Sequence, residues 1–282
     1  MIFRSLFLFL TVLCVAAPDV RACTVWGAAG NRVKGGGVII AKNRDNSPGL
    51  TTVLKLLRPE KGYRVFALVD TEAEGYIVGG INEKGLVVLN AAASSVSREK
   101  RLIATEDFSE RLLTTFDSVE AALSRPELFS ASYPALYMLA DSTKIVTIEI
   151  APGGNVATHA VANGTVAFTN HYVDKKVSLA NERISANSKF RVDRIRHLLA
   201  SRHSPMTKSD FIAMSADRRG GPDRAIWRTG AAPGKVRTLA SMIISLPKRG
   251  QPEIFVKLAA PGGIKKTYRI TSDAVFPSES AE

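Results

Sequence analysis

The sequence predicts an α+β fold: two antiparallel sheets packed face to face, with helices on the outside. Three observations carry it. Blocks of short strands alternate with helical blocks in the order strands, helices, strands, helices, strands. Glycine-rich or polar turn signals separate the strands at hairpin spacing. Hydrophobic residues are 45% and charged residues 23% of the 282-residue chain, ordinary globular usage that supplies a core for one domain and argues against disorder.

The first strands read Thr24 to Gly27, Val38 to Asn43, Thr51 to Leu57, Tyr63 to Val69, Gly75 to Val78 and Gly85 to Asn90. Gly35-Gly36-Gly37 reads as the exit from a hairpin that returns the chain along the first strand, and Asn82-Glu83-Lys84-Gly85 as a second tight connection. No Lys-Ser or Lys-Thr follows the glycine triplet at phosphate-loop spacing, so a turn is the better account. A helical block runs from about Glu106 to Arg125, with Asp117 as cap and Glu120 three residues on, and Pro126 ends it. Strands resume at Ala135 to Asp141, Ile145 to Ile150, Val156 to Val161 and Thr165 to Thr169, which alternate as a second antiparallel sheet. From Asn187 to Ala200, Phe190, Val192, Ile195, Leu198 and Leu199 recur at near-helical spacing, and Thr207 with Asp210 opens a further helix. Thr238 to Leu246 and Ile254 to Leu258 close the core, leaving about 270–282 as a frayed tail.

The amino end differs in kind. Arg4, an apolar run from Ser5 to Ala17, and Val20-Arg21-Ala22 form a secretory signal cut after Ala22, so the expected domain is 23–282 and the expected address is the periplasm or the exterior. The run is too short to span a bilayer comfortably and no later segment is longer, so no integral membrane segment is expected after cleavage. Loss of two arginines and one aspartate lowers the net charge only from +12 to +11. Arg218, Arg219, Arg224 and Arg228 are the one dense basic group; without a nucleic-acid signature they read as a solvated face, and no nucleic-acid partner is expected. Of two cysteines, Cys14 leaves with the signal, so Cys23 becomes the only thiol, no internal disulfide can form, and a reactive role is implied. His159, His171, His197 and His203 lack metal-ligand spacing, so neither metal nor cofactor is expected.

Cleavage after Ala22 puts a thiol and a free α-amine on one residue. Their ordinary pKa values, about 8.5 and about 7.7–8.0, lie close enough for the amine to act as base toward the thiol. This explains why no histidine partner is needed and why the preceding residue must be removed.

Cys23-Thr24 followed by Ala41-Lys42-Asn43-Arg44-Asp45 resembles the start of the N-terminal-nucleophile hydrolases of the choloylglycine hydrolase, penicillin V acylase and acyl-coenzyme A:isopenicillin N acyltransferase group. Gly80-Ile81-Asn82-Glu83-Lys84-Gly85-Leu86 running to Asn90, Thr169-Asn170-His171, and Thr238-Leu239-Ala240-Ser241 are similar to later motifs of that group, in the same order across nearly the whole chain after Ala22. The resemblance implies the four-layer αββα sandwich, with Cys23 as nucleophile and Asp45 as the carboxylate that holds its amine. It also implies Asn90 and Asn170 as the asparagines flanking the reacting carbonyl; which one donates to the oxyanion is left open. Lys42 stands where the bile-salt branch has Arg. The late Arg of that branch is matched by Lys189 with Arg191 close by, and the aromatic usual after the aspartate is absent. These exchanges lose bidentate geometry and weigh against bile-salt hydrolysis while leaving amide chemistry intact.

The expected function is therefore hydrolysis of linear amides in N-acylated small molecules or peptides through a thioester on Cys23. Acyl transfer from the same intermediate is the near alternative. From another class comes a lipid-anchored envelope binding protein acylated at Cys23, against which Arg21 at position −2 argues. The expected partner is a small N-acyl amide, and self-association is left open.

Overall fold

A computed structural model describes residues 22–71, 75–101, 107–259 and 265–277. The signal segment expected over 1–22 lies outside these residues except for Ala22. In chain order the strands are β1 (Ala22–Ala29), β2 (Val38–Asn46), β3 (Thr52–Leu57), β4 (Val65–Asp70), β5 (Ile77–Asn82), β6 (Val87–Ala92), β7 (Ala135–Ala140), β8 (Ile145–Ala151), β9 (Asn155–Val161), β10 (Gly164–Phe168), β11 (Arg237–Leu246), β12 (Glu253–Leu258) and β13 (Lys266–Thr271). The helices are α1 (Arg98–Arg101), α2 (Phe108–Thr115), α3 (Val119–Leu123), α4 (Pro126–Ser130), α5 (Ala186–Ala200), α6 (Lys208–Ser215), α7 (Gly221–Arg224) and α8 (Ser272–Val275).

The strands form a six-stranded sheet in the order β10-β1-β2-β11-β12-β13 and a seven-stranded sheet in the order β3-β4-β5-β6-β7-β8-β9, with antiparallel pairing throughout. Side chains alternate across each strand, and this sorts the core into layers. Val25, Ile40, Met242 and Ile244 face Leu68, Leu89, Leu136 and Met138 between the sheets. Trp26, Ile39, Ala41 and Ile243 face outward against Ile195 and Leu199 of α5 and Phe211 and Met214 of α6. Across the molecule, Val65, Val88 and Tyr137 face Phe108, Leu112 and Leu113 of α2 and Phe129 of α4. The result is the expected αββα sandwich.

Several local expectations change. The strands Thr165 to Thr169 and Ala135 to Val161 do not share a sheet: β10 leaves its predecessors and pairs with β1, Phe168 opposite Val25. Strand β5 continues through Gly79-Gly80, which a reading based on side-chain alternation ends too early. Ser118, not Asp117, caps α3, its side chain accepting from Ala121 N while Asp117 accepts from Ser118 Oγ. Pro126 does not end the helical block; it occupies the first turn of α4, where a missing N–H costs nothing. Within the tail expected to fray over about 270–282, residues 270–277 instead complete β13 and α8, with Val275 of α8 and the following Phe276 buried in the inter-sheet core; residues 278–282 lie outside the described residues. The Gly35-Gly36-Gly37 turn stands as expected, all three glycines at positive φ, and a Cβ on Gly37 would collide with the Leu246 carbonyl.

Candidate active site

Strand β1 pairs with β2 so that Cys23 lies opposite Arg44, Ala22 opposite Asp45 and Val25 opposite Lys42. Alternation then divides β2 between two environments, and all nine of its residues are buried. Lys42 and Arg44 share the inter-sheet face with Cys23, whereas Asn43 and Asp45 face the helices. Asn43 is anchored there, donating to Ser215 O at the end of α6 and to Ile226 O, both at 2.8 Å.

Cys23 is 4% exposed, and its backbone N–H donates to Asn170 Oδ1 at 2.9 Å. Asn170 follows β10, so the pairing of β10 with β1 is what delivers it. Its Nδ2 donates to Ala92 O at 3.0 Å, and Arg191 Nη2 donates to its Oδ1 at 3.0 Å. Arg191, on α5, also reaches Cys23 O and Thr24 Oγ1 through Nη1, the latter at 2.8 Å, and is braced by Asn187 Oδ1 at 2.6 Å. Burial lowers the Arg191 pKa to about 10, opposed by the charge of Asp45, so the guanidinium stays protonated at neutral pH.

Asp45 is fully buried. Thr238 Oγ1 donates to its Oδ1 at 2.7 Å, and Arg228 Nη1 lies 3.6 Å from Oδ2, which has no hydrogen-bond donor among the described residues. A shift in register between Thr238 and Ala240 in β11 sets the Thr238 hydroxyl against the carboxylate. Desolvation raises the Asp45 pKa, countered by Arg228, Arg191 and the Thr238 hydrogen bond.

Lys42 is fully buried, its ammonium donating to Val78 O and, at 2.9 Å, to Asn90 Oδ1. Desolvation brings its pKa down to about 8 against a raising contribution from Cys23. Asn90 gives both amide hydrogens away, to Ile77 O at 2.9 Å and Ser109 Oγ at 2.8 Å. Asn170 retains one. Pairing between β5 and β6 runs from Ile81–Val87 to Gly79–Leu89. Beyond it, Ile77, Val78, Asn90, Ala91 and Ala92 line a cleft of about 540 Å³ that contains Cys23, Lys42, Arg44 and Asp70 and is walled by Tyr76, Tyr133 and Tyr137.

Cys23, Lys42, Asp45, Asn90, Asn170 and Arg191 thus converge, while Lys189 does not: it is exposed on α5, two residues from the buried Arg191. Arg228 also departs from its expected place. Arg218, Arg219 and Arg224 are exposed, but Arg228 is buried on Asp45. The buried Arg44–Asp70 ion pair in the cleft and the Thr24, Thr238 and Ser188 hydroxyls were not singled out either. Thr238 opens the Thr238-Leu239-Ala240-Ser241 motif, but no local pattern marks its contact with Asp45. Among the described residues, no group of His, Cys, Asp and Glu is arranged to hold a metal, and no helix is long and apolar enough to cross a membrane.

Comparison with solved structures gives matches across the sandwich. A mutant of the conjugated bile acid hydrolase of Clostridium perfringens matches with a TM-score of 0.53 at 14% identity, covering 88% of this chain and 97% of that one. The penicillin V acylase of Agrobacterium tumefaciens matches at 0.52 and 14%, covering 88% and 86%. At such identities the likeness establishes the fold, that of the N-terminal-nucleophile hydrolases. No curated protein matches. The model of the acyl-coenzyme A:6-aminopenicillanic acid acyl-transferase family matches residues 32–255, most of the chain, and the protein accordingly belongs to that family.

Proposed function

We propose that this protein is an amidohydrolase that cleaves linear N-acyl amides through a thioester on Cys23, after residues 1–22 have been removed during export to the periplasm or beyond. One observation carries the reading. The Cys23 nitrogen is held by Asn170 at 2.9 Å beside a thiol in a cleft, while across the strand Asp45 presents a buried oxygen with no donor. Loss of Ala22, the residue paired with Asp45, would free the Cys23 amine, whose protonated form has hydrogens beyond the one Asn170 accepts and so a use for that carboxylate oxygen.

In the proposed cycle the amine takes the thiol proton and the thiolate adds to the amide carbonyl. The C–N bond breaks as the ammonium returns the proton to the leaving nitrogen, and water, deprotonated by the same amine, releases the acid and restores the thiol. Asp45 favours the ammonium and fixes its direction; Arg191 and Asn170 hold the Cys23 backbone. The remaining Asn170 hydrogen supports that residue as a donor to the carbonyl oxygen, since Asn90 must release Ser109 or Ile77 before it can donate.

Acyl transfer to an amine or thiol acceptor is the second reading, favoured by the family name. Partition of product between acid and an added amine or coenzyme A separates the two. The primary test is the intact mass and N-terminal sequence of protein recovered from the exported fraction, alongside turnover of a panel of N-acyl amides. A start at Cys23 with an unmodified amine, and loss of turnover in Cys23→Ser, are expected. A different start, a lipid increment on Cys23, or full activity of Cys23→Ser would refute the reading.

A further inference from the structure

Asn170 is gripped at both ends by one helix. Arg191 donates to its side chain, and one turn earlier on α5 Ser188 Oγ accepts its backbone N–H at 3.2 Å. The grip matters because residues 169–173 lie beyond β10 and outside the strand ladders. Among the described residues, the only other backbone tie of Asn170 is its carbonyl, which accepts from Ser95 N at 3.1 Å.

The Ser188 hydroxyl is the hub of a buried network. His171 Nδ1 and Thr169 Oγ1 each lie 2.8 Å from it, and Thr169 Oγ1 also donates to Ser188 O at 3.0 Å. Three consecutive residues, Thr169, Asn170 and His171, are therefore tied to one serine. An arrangement of protons that satisfies the set sends Thr169 O–H to Ser188 O, Asn170 N–H to Ser188 Oγ, and Ser188 O–H to the lone pair of His171 Nδ1. It requires a neutral ring protonated on Nε2. Burial, with Arg196, Arg191 and Lys189 outweighing Asp193, brings the His171 pKa down to about 4, so the ring is neutral at working pH.

We propose that Ser188 and His171 are positioning residues of the Cys23 site: His171 accepts the Ser188 proton, which turns the serine oxygen toward the Asn170 backbone and sets Asn170 Oδ1 against the Cys23 amine. The inference rests on the reading of Cys23 as an N-terminal nucleophile. A displacement of about 1 Å in such a group costs about 10²-fold in rate, so a hydroxyl far from the reacting atoms can govern turnover.

The test uses Ser188→Ala, His171→Leu and His171→Asn, the last retaining an acceptor near the Nδ1 position. The charged groups around the Cys23 amine and thiol are Lys42, Arg44, Asp45, Asp70, Arg191 and Arg228, and all remain in each variant. We expect Ser188→Ala and His171→Leu to lower kcat by about tenfold or more with KM little changed, a loss confined to the reacting state. The amine loses an aligned acceptor that favours its charged form, so the pH limb for Cys23 alkylation by iodoacetamide should move to lower pH. His171→Asn should recover most of both. Wild-type kcat and an unmoved limb in folded Ser188→Ala or His171→Leu would overturn the proposal, as would a His171→Asn variant no better than His171→Leu. Should Ser188→Ala not fold, the two His171 variants decide. Failure of the underlying reading shows itself separately, as an inert Cys23 and no amide turnover in the unaltered protein.

Discussion

At the scale of single residues, the site concentrates charge on buried side chains, and each charge carries a testable consequence. Lys42 is charged at neutral pH although its folded pKa is about 8 and its free value 10.5. Between those values the unfolded chain binds the extra proton, so stability contributed through Lys42 rises with pH across this interval. The penalty below it is roughly 3 kcal/mol. Relative to Lys42→Met, the wild-type protein should gain thermal stability as pH rises from 7 to 10, and parallel melting curves for the two proteins would contradict the assignment. In the proposed cycle Asp45→Asn removes the charge that steadies the ammonium; kcat should then fall, and the limb of the pH–rate profile set by the amine should move to lower pH. Asn170→Ala should cost on the order of 10²-fold in kcat with a smaller change in KM. Folded fraction by circular dichroism accompanies both, because a normal kcat in well-folded variants would dismiss these residues from the site.

At the scale of elements, β2 and α5 do most of the positioning. Strand β2 sends Lys42 and Arg44 inward and Asn43 and Asp45 outward, and α6 and the segment after α7 anchor it through the Asn43 bonds to Ser215 O and Ile226 O. Helix α6 opens with a complete capping box between Thr207 and Asp210. Thr207→Ala should therefore lower unfolding free energy by about 1 kcal/mol while leaving kcat unchanged. The same reasoning assigns the cap of α3 to Ser118: Ser118→Ala should cost about 1 kcal/mol in urea denaturation. Asp117→Ala should cost less, because the Asp117 side chain bonds only to Ser118 Oγ. Equal costs would show that the cap has been misplaced.

At the scale of the whole molecule, the two sheets share one apolar interior that the last described helix helps to close. Val275 and Phe276 of the carboxyl end are part of that interior. Phe276→Ala should cost about 3 kcal/mol in stability. A surface effect of a few tenths would instead mean that the segment does not dock. Assembly of the site is equally global: Cys23 meets a residue 147 positions away and Asp45 one 193 positions away. Disruption of sheet pairing should thus abolish amide turnover and cooperative unfolding together.

What the sequence determined by itself is what short spans of chain encode. Apolar alternation announces β1 to β12 to within a few residues, the Gly35-Gly36-Gly37 turn is legible because only glycine tolerates its φ, and the Thr207 box is written in four residues. Cys23, Asp45, Asn90 and Asn170 were legible as candidates through the order of their motifs. Only the tertiary structure decided that β10 crosses to the other sheet, that Arg191 rather than Lys189 enters the site, that Arg228 is buried on Asp45, and that Ser188 binds the Asn170 backbone. The reason is physical. A buried arginine or serine has the same local pattern as an exposed one, and its partner is selected by strand register and helix docking: Arg191 meets Cys23 across 168 positions, and even Ser188, 18 positions from Asn170, meets it only once α5 docks on the β1–β10 edge.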